Sequence, residues 1–494
     1  MSPGTTQPLP SFVPAAAHDE VDPFQVSLEV VVATSTMVQH RLEERKGVRS
    51  RQDPALTQFF KWKTVTPLRD PEQRPSFVVA PIDVLVFDTA EGPRFQLMEL
   101  NGTGFGGISN VPGEVVQCFI ESIRETAATV RDPGGVFLMG ISGLESPERP
   151  RLNKLMHEKM MFAQALLEGL RRQHPEAVLH AMPALLDDPS LLGQGSAPAV
   201  VMGYMKDFLR ALERNEEGQL MLHGRRVAGI LNDRFILNIL DHFGGNVDLS
   251  RVVTLNRCYE AGGDKAVAYG LLNQLLESTP VPSMPPSFPH ELAHDREGLI
   301  LAIEAWLARG ERTVIKPHGT GAGHGIEFFL DLQADRATIE ATVDETLRLT
   351  EAYYTIRGGA FPYTLCPFVD TRVIDQPGHA LHGHKYELRI VVYRDGDFLH
   401  AFPAVAKVAS RPFDPAAPDR LSLINNITAA SEAQQDGVSY ILPLANRDTL
   451  ALLGLTLDDM VAVGQAMTRY VRHVLDSLDD PREALSSVIA SHLE

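Results

Sequence analysis

The chain has 494 residues, enough for several hydrophobic cores and roughly two to four domains. Its 45 basic against 63 acidic residues leave a formal net charge of −18, which disfavours nucleic acid and anionic membrane as partners because both would be repelled. Hydrophobic content of 44% with 22% charged residues is ordinary for a globular protein, and no apolar run approaches the ~20 residues of a membrane span.

Three cysteines, Cys118, Cys258 and Cys366, lie far apart without metal-ligand spacing, so a reducing cytoplasm is expected. Residues 1–24 are rich in Pro, Ser, Thr and Ala but lack the basic start and apolar stretch of a signal peptide; they read as a loose tail. Next, Val26–Ala33 has strand composition, and the arginine-rich stretch from His40 to Asp53 reads as helix followed by loop. Phe77–Phe87 and Phe95–Leu100 read as two strands joined by a turn at Ala90–Pro93. After the glycine-rich Asn101–Gly107, the apolar spacing of Val111–Val130 predicts a helix.

From Gly135 to about Leu255 strands alternate with helices. Val136–Ile141, Ala177–Ala181 and Ala199–Met202 read as strands, Leu152–Arg172 and Lys206–Glu213 as helices, and Leu220–Leu231 as a hairpin turning at His223–Arg226. That alternation predicts a parallel α/β domain, a layout compatible with many functions. Beyond it, helices are expected at Asp264–Glu277 and Asp295–Arg309, with strands at Thr313–Lys316, Ile326–Leu330, Tyr363–Val369, Glu387–Tyr393 and Phe398–Lys407. A last helix, Leu457–Leu478, opens on Thr456 with Asp459 as a capping box.

The sharpest local signal is Thr313-Val-Ile-Lys316-Pro-His318-Gly319-Thr320-Gly321-Ala-Gly323-His-Gly325. Glycines at alternate positions let backbone N–H groups close on phosphate oxygens, and Lys316 sets a cation beside them. The segment is neither a Walker loop nor a dinucleotide fingerprint, because no Gly-Lys-Ser/Thr and no helix follow. A flexible glycine hairpin would share this composition. Upstream, Asp264-Lys265 opens a helix; alone, Asp264 is an N-cap and Lys265 a surface lysine. Downstream, Glu387 and Arg389 stand two apart on an otherwise apolar strand, an arrangement that is costly unless it binds something. Lys407 is a cation in another apolar strand, which snorkelling would also explain. Cys366 suits a small buried hydrophobe.

The order Lys265, helix, breaker, helix, Lys316-Pro and glycine loop resembles the ATP-grasp superfamily. The resemblance implies that Lys265 and Lys316 hold ATP phosphates and that His318, Gly319, Thr320, Gly321, Gly323 and Gly325 form a flap over them. Cys366 and Phe368 fall in the segment whose backbone pairs with adenine, Lys407 belongs to the ATP site, and Glu387 and Arg389 stand on the strand that steadies the transferring phosphoryl group. The carboxylates that should follow, holding Mg²⁺, do not. They occur near the other end, as Asp83 on one strand and Glu99-x-Asn101 on the next. Hard oxygen donors on one face of a hairpin suit Mg²⁺, although alone they also fit exposed charges.

This order resembles the circularly permuted ATP-grasp enzymes, such as the glutathionylspermidine synthases. It implies an α/β protein with α+β lobes: an ATP-grasp fold in permuted order plus an additional Rossmann-like domain. The parts would be 1–24 (tail), 25–109 (metal-ligand strands), 110–258 (α/β substrate domain), 259–362 (small lobe) and 363–494 (large lobe). The implied activity is that of a ligase using ATP and Mg²⁺. A small-molecule carboxylate, an amino acid or peptide, becomes an acyl phosphate that an amine displaces, with release of ADP. An ATP-grasp kinase, a thioester-forming ligase and a non-catalytic nucleotide-binding regulator are the alternatives, and a homo-oligomer is left open.

Overall fold

In the computed structural model the described residues are 48–102, 108–130, 132, 134–141, 153–193, 197–231, 235–317, 323, 325–354, 361–423 and 439–479. The expected tail, the strand Val26–Ala33, most of the arginine-rich stretch and the loop residues His318, Gly319, Thr320 and Gly321 lie outside them. The protein is mixed α/β and forms two compact units. Of the described residues, one comprises those within Gly104–Ser109 and Ile120–Leu255, and the other those within Gly47–Thr103, Asn110–Phe119 and Asn256–Glu494.

In the first unit the strands Val178–Ala181, Ala199–Tyr204, Val136–Ile141 and Arg225–Leu231 lie side by side and parallel, with Val253–Leu255 parallel to the last. This is the parallel layout the alternation predicted. Its core packs Leu138, Val201, Ile230, Phe208, Phe235 and Ile239, among others. The expected helix at Lys206–Glu213 is shorter, Met205–Ala211, because Leu212–Arg214 turns into an antiparallel strand against Leu220–Leu222. The hairpin turn forms at His223 and Gly224, both with positive φ.

The second unit holds two sheets. In the larger, Thr66–Pro67, Phe398–Pro412, His384–Asp395, Val79–Thr89 and Gly92–Leu100 follow one another antiparallel, with Ile441–Pro443 beside Phe398–Pro412. The helix Leu457–Asp479 covers one face with Met460, Val463, Met467, Tyr470 and Val474. Its expected cap is present: Thr456 N–H donates to Asp459 (2.8 Å) and Asp459 N–H to Thr456 Oγ1 (3.1 Å). The smaller sheet runs Glu291–Ala293, Tyr363–Pro367, Thr313–Pro317, Glu327–Phe329, backed by Arg296–Ala308 and Arg336–Tyr354. The helices Pro54–Lys63 and Arg336–Tyr354 had no counterpart in the sequence reading.

The larger sheet breaks register at three places among the described residues, and two of these bulges shape the site. Asp83 pairs with Glu99 and Val84 with Leu97, leaving Met98 out of the ladder. Likewise Arg389 pairs with Val405 and Ile390 with Pro403, leaving Ala404 out. Each extra residue flips the face of everything beyond it. Leu97 can therefore turn toward the core while Glu99, two residues on, shares the face of Asp83.

Asn256 pins the start of the Asp83 strand. Fully buried at a φ of +62°, it accepts from the N–H groups of Val78 (3.0 Å) and Val79 (3.1 Å) and donates to Val79 O (2.8 Å). Its side chain acts as a short extra strand, and left-handed backbone is tolerated by asparagine better than by most residues. Asn256→Ala leaves those groups unpaired and strains the backbone. It should cost roughly 2–4 kcal/mol, read as a lower denaturant midpoint; an unchanged midpoint would refute the assignment.

Candidate active site

The face of the larger sheet opposite the Leu457–Asp479 helix carries charge. Across four adjacent strands it presents Glu99 and Asn101, then Asp83, then Glu387 and Arg389, then Lys407. Strand periodicity puts Glu387 with Arg389, and Glu99 with Asn101. Register does the rest, since Asp83 lies opposite both Glu99 and Arg389, and Glu387 lies opposite Lys407. Without the Ala404 bulge Lys407 would point toward the covering helix.

Asp83 is the hub. Completely buried, it takes Arg389 Nε on one oxygen and Nη2 on the other, each at 2.7 Å, a bidentate pair. Lys407 Nζ reaches Oδ2 at 3.0 Å and Asn101 Nδ2 reaches the same oxygen at 3.2 Å. Burial works against the Asp83 anion, but Arg389 and then Lys407 outweigh it and hold the carboxyl well below its ordinary range. Exposed hairpin charge is excluded for Asp83. Glu387 ion-pairs with Lys407 on its other side. Burial first, with Asp83 and Glu99 adding like charge, pushes its carboxyl up to about 7 despite Lys407.

Lys265 and Lys316 approach from the helix Lys265–Ser278 and the strand Thr313–Pro317. Asp264 caps the helix through the N–H groups of Ala266 and Val267, which places Lys265 in its first turn. Lys265 is only 8% exposed, so it is no surface lysine, and its ammonium lies 3.8 Å from Glu99. Gly262 permits this approach, because an added Cβ would stand 2.8 Å from Leu100 on the Glu99 strand. Lys316, 7% exposed, donates to Tyr269 Oη at 2.8 Å; Tyr269, one helical turn after Lys265, in turn donates to Met98 O at 2.8 Å. Residues some two hundred positions apart in the chain are thus brought together.

The smaller sheet supplies an apolar cluster beside the lysines. Alternation sends Ile315 into the core under Arg296–Ala308, while Val314 and Lys316 face the other way. There Val314 packs with Tyr269, Phe288 and Cys366, rimmed by the half-buried Ile326, Phe328 and Phe368. Burial raises the Cys366 thiol, keeping it neutral, as expected of a packing residue. The backbone here is largely spoken for: Phe368 N–H donates to Arg312 O (2.8 Å) and Cys366 O accepts from Thr313 Oγ1 (3.0 Å). Side chains rather than these two backbone groups are what Cys366 and Phe368 offer a planar ring.

Of the glycine loop, Gly323 and Gly325 are described, both with positive φ. At Gly325 a Cβ would stand 2.6 Å from both Pro317 Cγ and Thr350 Oγ1, so only glycine fits. Of the expected residues, Asp83, Asn101, Glu387, Arg389 and Lys407 are in mutual contact, Glu99 lies beside Lys265, Lys316 reaches the Glu99 strand through Tyr269, and Cys366 and Phe368 belong to the apolar cluster next to Lys316. Sequence reasoning missed Tyr269, whose position one turn after Lys265 was its one signal.

The donor chemistry bears on a metal. Among the described residues no three His, Cys, Asp or Glu side chains form a metal-binding group. The Glu99 side chain is 25% exposed, and Asn101, its amide nitrogen given to Asp83, keeps its carbonyl oxygen. Hard oxygens of this kind fit Mg²⁺. Both oxygens of Asp83 are engaged by cations, so Asp83 fits only by releasing Arg389 or Lys407.

No family model matches the chain, and no curated protein does. Among solved structures it is similar to a protein described as a gamma-glutamylcysteine synthetase from Methylobacillus flagellatus KT, with 10% identity, a TM-score of 0.38, and 91% of this chain and 95% of that one covered. It is also similar to the D-cycloserine synthetase DcsG, with 13% identity, a TM-score of 0.23, and 61% and 99% covered. The ATP-grasp ligase PsnB matches with 16% identity, a TM-score of 0.22, and 59% and 99% covered. Among the described residues no helix is long and apolar enough to cross a membrane.

Two outcomes follow from the buried charges. Lys407→Met strips one cation from Asp83 and the partner from Glu387, and should cost about 3–5 kcal/mol in chemical denaturation. A loss below about 1 kcal/mol would contradict the buried pairing. Glu387, raised from an ordinary 4.5 to about 7, keeps a proton in the folded chain that the unfolded chain has released. Its contribution to stability therefore declines as pH rises through that window. Glu387→Gln should flatten the fall of the unfolding midpoint from pH 4.5 to 7; an unaltered slope would refute the shift.

Proposed function

We propose that the chain is an ATP- and Mg²⁺-dependent carboxylate–amine ligase of the ATP-grasp type, with its parts in circularly permuted order. One observation supports this above the others: the strand that bears Glu99, from near the start of the chain, lies 3.8 Å from Lys265 through Glu99 itself and is joined to Lys316 through the Tyr269 hydroxyl, with 2.8 Å on either side of that oxygen. An apolar slot, two lysines and an oxygen-donor pair in succession match adenine, phosphates and metal in succession.

In this reading the adenine lies against Val314, Phe328 and Phe368, and Lys265 and Lys316 neutralise the phosphates. The loop from His318 through Gly319, Thr320 and Gly321 to Gly323 and Gly325 closes over them. Glu99 and Asn101 would hold Mg²⁺, joined by Asp83 if phosphate draws Arg389 or Lys407 away; the metal would withdraw charge from the phosphate oxygens. A carboxylate oxygen of the acid, an amino acid or peptide, attacks the γ-phosphorus. The bond to the bridging oxygen breaks and ADP leaves. Arg389, aimed by Asp83, steadies the charge gathering on the phosphoryl oxygens, and Glu387 keeps Lys407 on the same face. The amine nitrogen then attacks the acyl carbon, loses a proton, and phosphate departs. No enzyme nucleophile is needed.

Incubation with Mg²⁺, ATP and a panel of amino acids and amines should release ADP and phosphate. Formation of AMP and pyrophosphate would overturn the scheme. Glu99→Ala should lower turnover at least ~100-fold while the unfolding midpoint shifts little, because its carboxylate is partly exposed. Undiminished turnover in that variant would remove Glu99 from the site.

A further inference from the structure

We infer that Tyr269 is a positioning residue for nucleotide binding, its hydroxyl fixing the Lys316 ammonium against the bulge of the Glu99 strand. The inference deepens the nucleotide reading and rests on it.

The hydroxyl joins two groups that nothing in the chain sequence brings together. Met98 is the residue left out of the ladder, and among the described residues Gly92–Leu100 is the edge strand of its sheet, so no described strand pairs with the Met98 carbonyl. Tyr269 donates to that carbonyl and, through its oxygen lone pair, accepts from Lys316, both at 2.8 Å. Met98 immediately precedes Glu99, so one oxygen atom sets the distance between a phosphate lysine and the acidic strand.

The ring adds to this. It meets Phe288 edge to face at 4.5 Å, which locks its orientation. Full burial keeps the hydroxyl a neutral phenol, able to donate and accept at once. A lysine carries three N–H donors; with one spent on Tyr269, others can meet phosphate oxygens. A four-carbon lysine stem is flexible, and a fixed partner reduces the entropy lost when phosphate binds.

Tyr269→Phe keeps the ring and its contact with Phe288 but removes the oxygen. Calorimetric titration of the native chain and the variant with Mg-ATP, and separately with adenosine, distinguishes positioning from pocket shape. The Kd for ATP should rise roughly tenfold or more, while that for adenosine, which has no phosphate, changes less than about twofold. Unchanged ATP affinity would overturn the inference, as would equal weakening of both ligands. Should the Phe variant fail to fold, Tyr269→4-aminophenylalanine retains a donor for Met98 O and is a poor acceptor. It should show the same selective loss, and native ATP affinity in it would overturn the inference. A native chain that binds no ATP would instead sink the nucleotide reading itself.

Discussion

The second unit is organised around the carboxylate of Asp83, fully buried in the middle of an apolar sheet and held by Arg389 and Lys407. Removing three ions from water is costly, and their mutual attraction offsets that only where the hydrogen bonds are well made. Here they are: a bidentate guanidinium, an ammonium and an amide share two oxygens. Such a cluster adds little to stability compared with apolar packing of the same volume. Its consequence is geometric, because strands bearing these partners cannot slip without stranding a buried charge.

The two bulges are where that constraint is met. A regular ladder would have faced Leu97 and Glu99 the same way, and Lys407 toward the covering helix. Leaving out Met98 and Ala404 lets each strand be apolar on the core side at one end and charged on the cleft side at the other. The carbonyls thereby left out of the ladder find partners elsewhere: Met98 O takes Tyr269, and Ala404 O takes Gln52 and Leu444. Irregular backbone is thus tied down by side chains, which is how a sheet can re-aim residues without losing buried hydrogen bonds.

The smaller sheet divides its two faces by the same period-two logic. One packs on helices through Ile315, Tyr363 and Leu365; the other offers Val314, Cys366 and Lys316 to the helix that begins at Lys265. The result is an apolar cluster with a cation at its edge, next to a group of oxygen donors. The first unit, by contrast, holds a mixed α/β sheet, parallel through most of its strands and antiparallel at one edge, over a core made mainly of Val, Ile, Leu, Phe and Met side chains.

Periodicity and local chemistry determined much of this from the sequence alone. The alternating strands and helices of the parallel sheet, the caps at Asp264 and Thr456, and the pairing of Glu387 with Arg389 on one face all rest on contacts a few residues apart. The helix Arg336–Tyr354 was missed because its apolar stripe is weak amid many charges. What tertiary structure alone decided was depth and register. Nothing local says that Asp83 is buried rather than exposed, that Lys407 turns inward, or that Met98 drops out of its ladder. Those outcomes depend on which strands become neighbours, and Glu99 meets Lys265 and Lys316 only because folding closes a loop of well over a hundred residues.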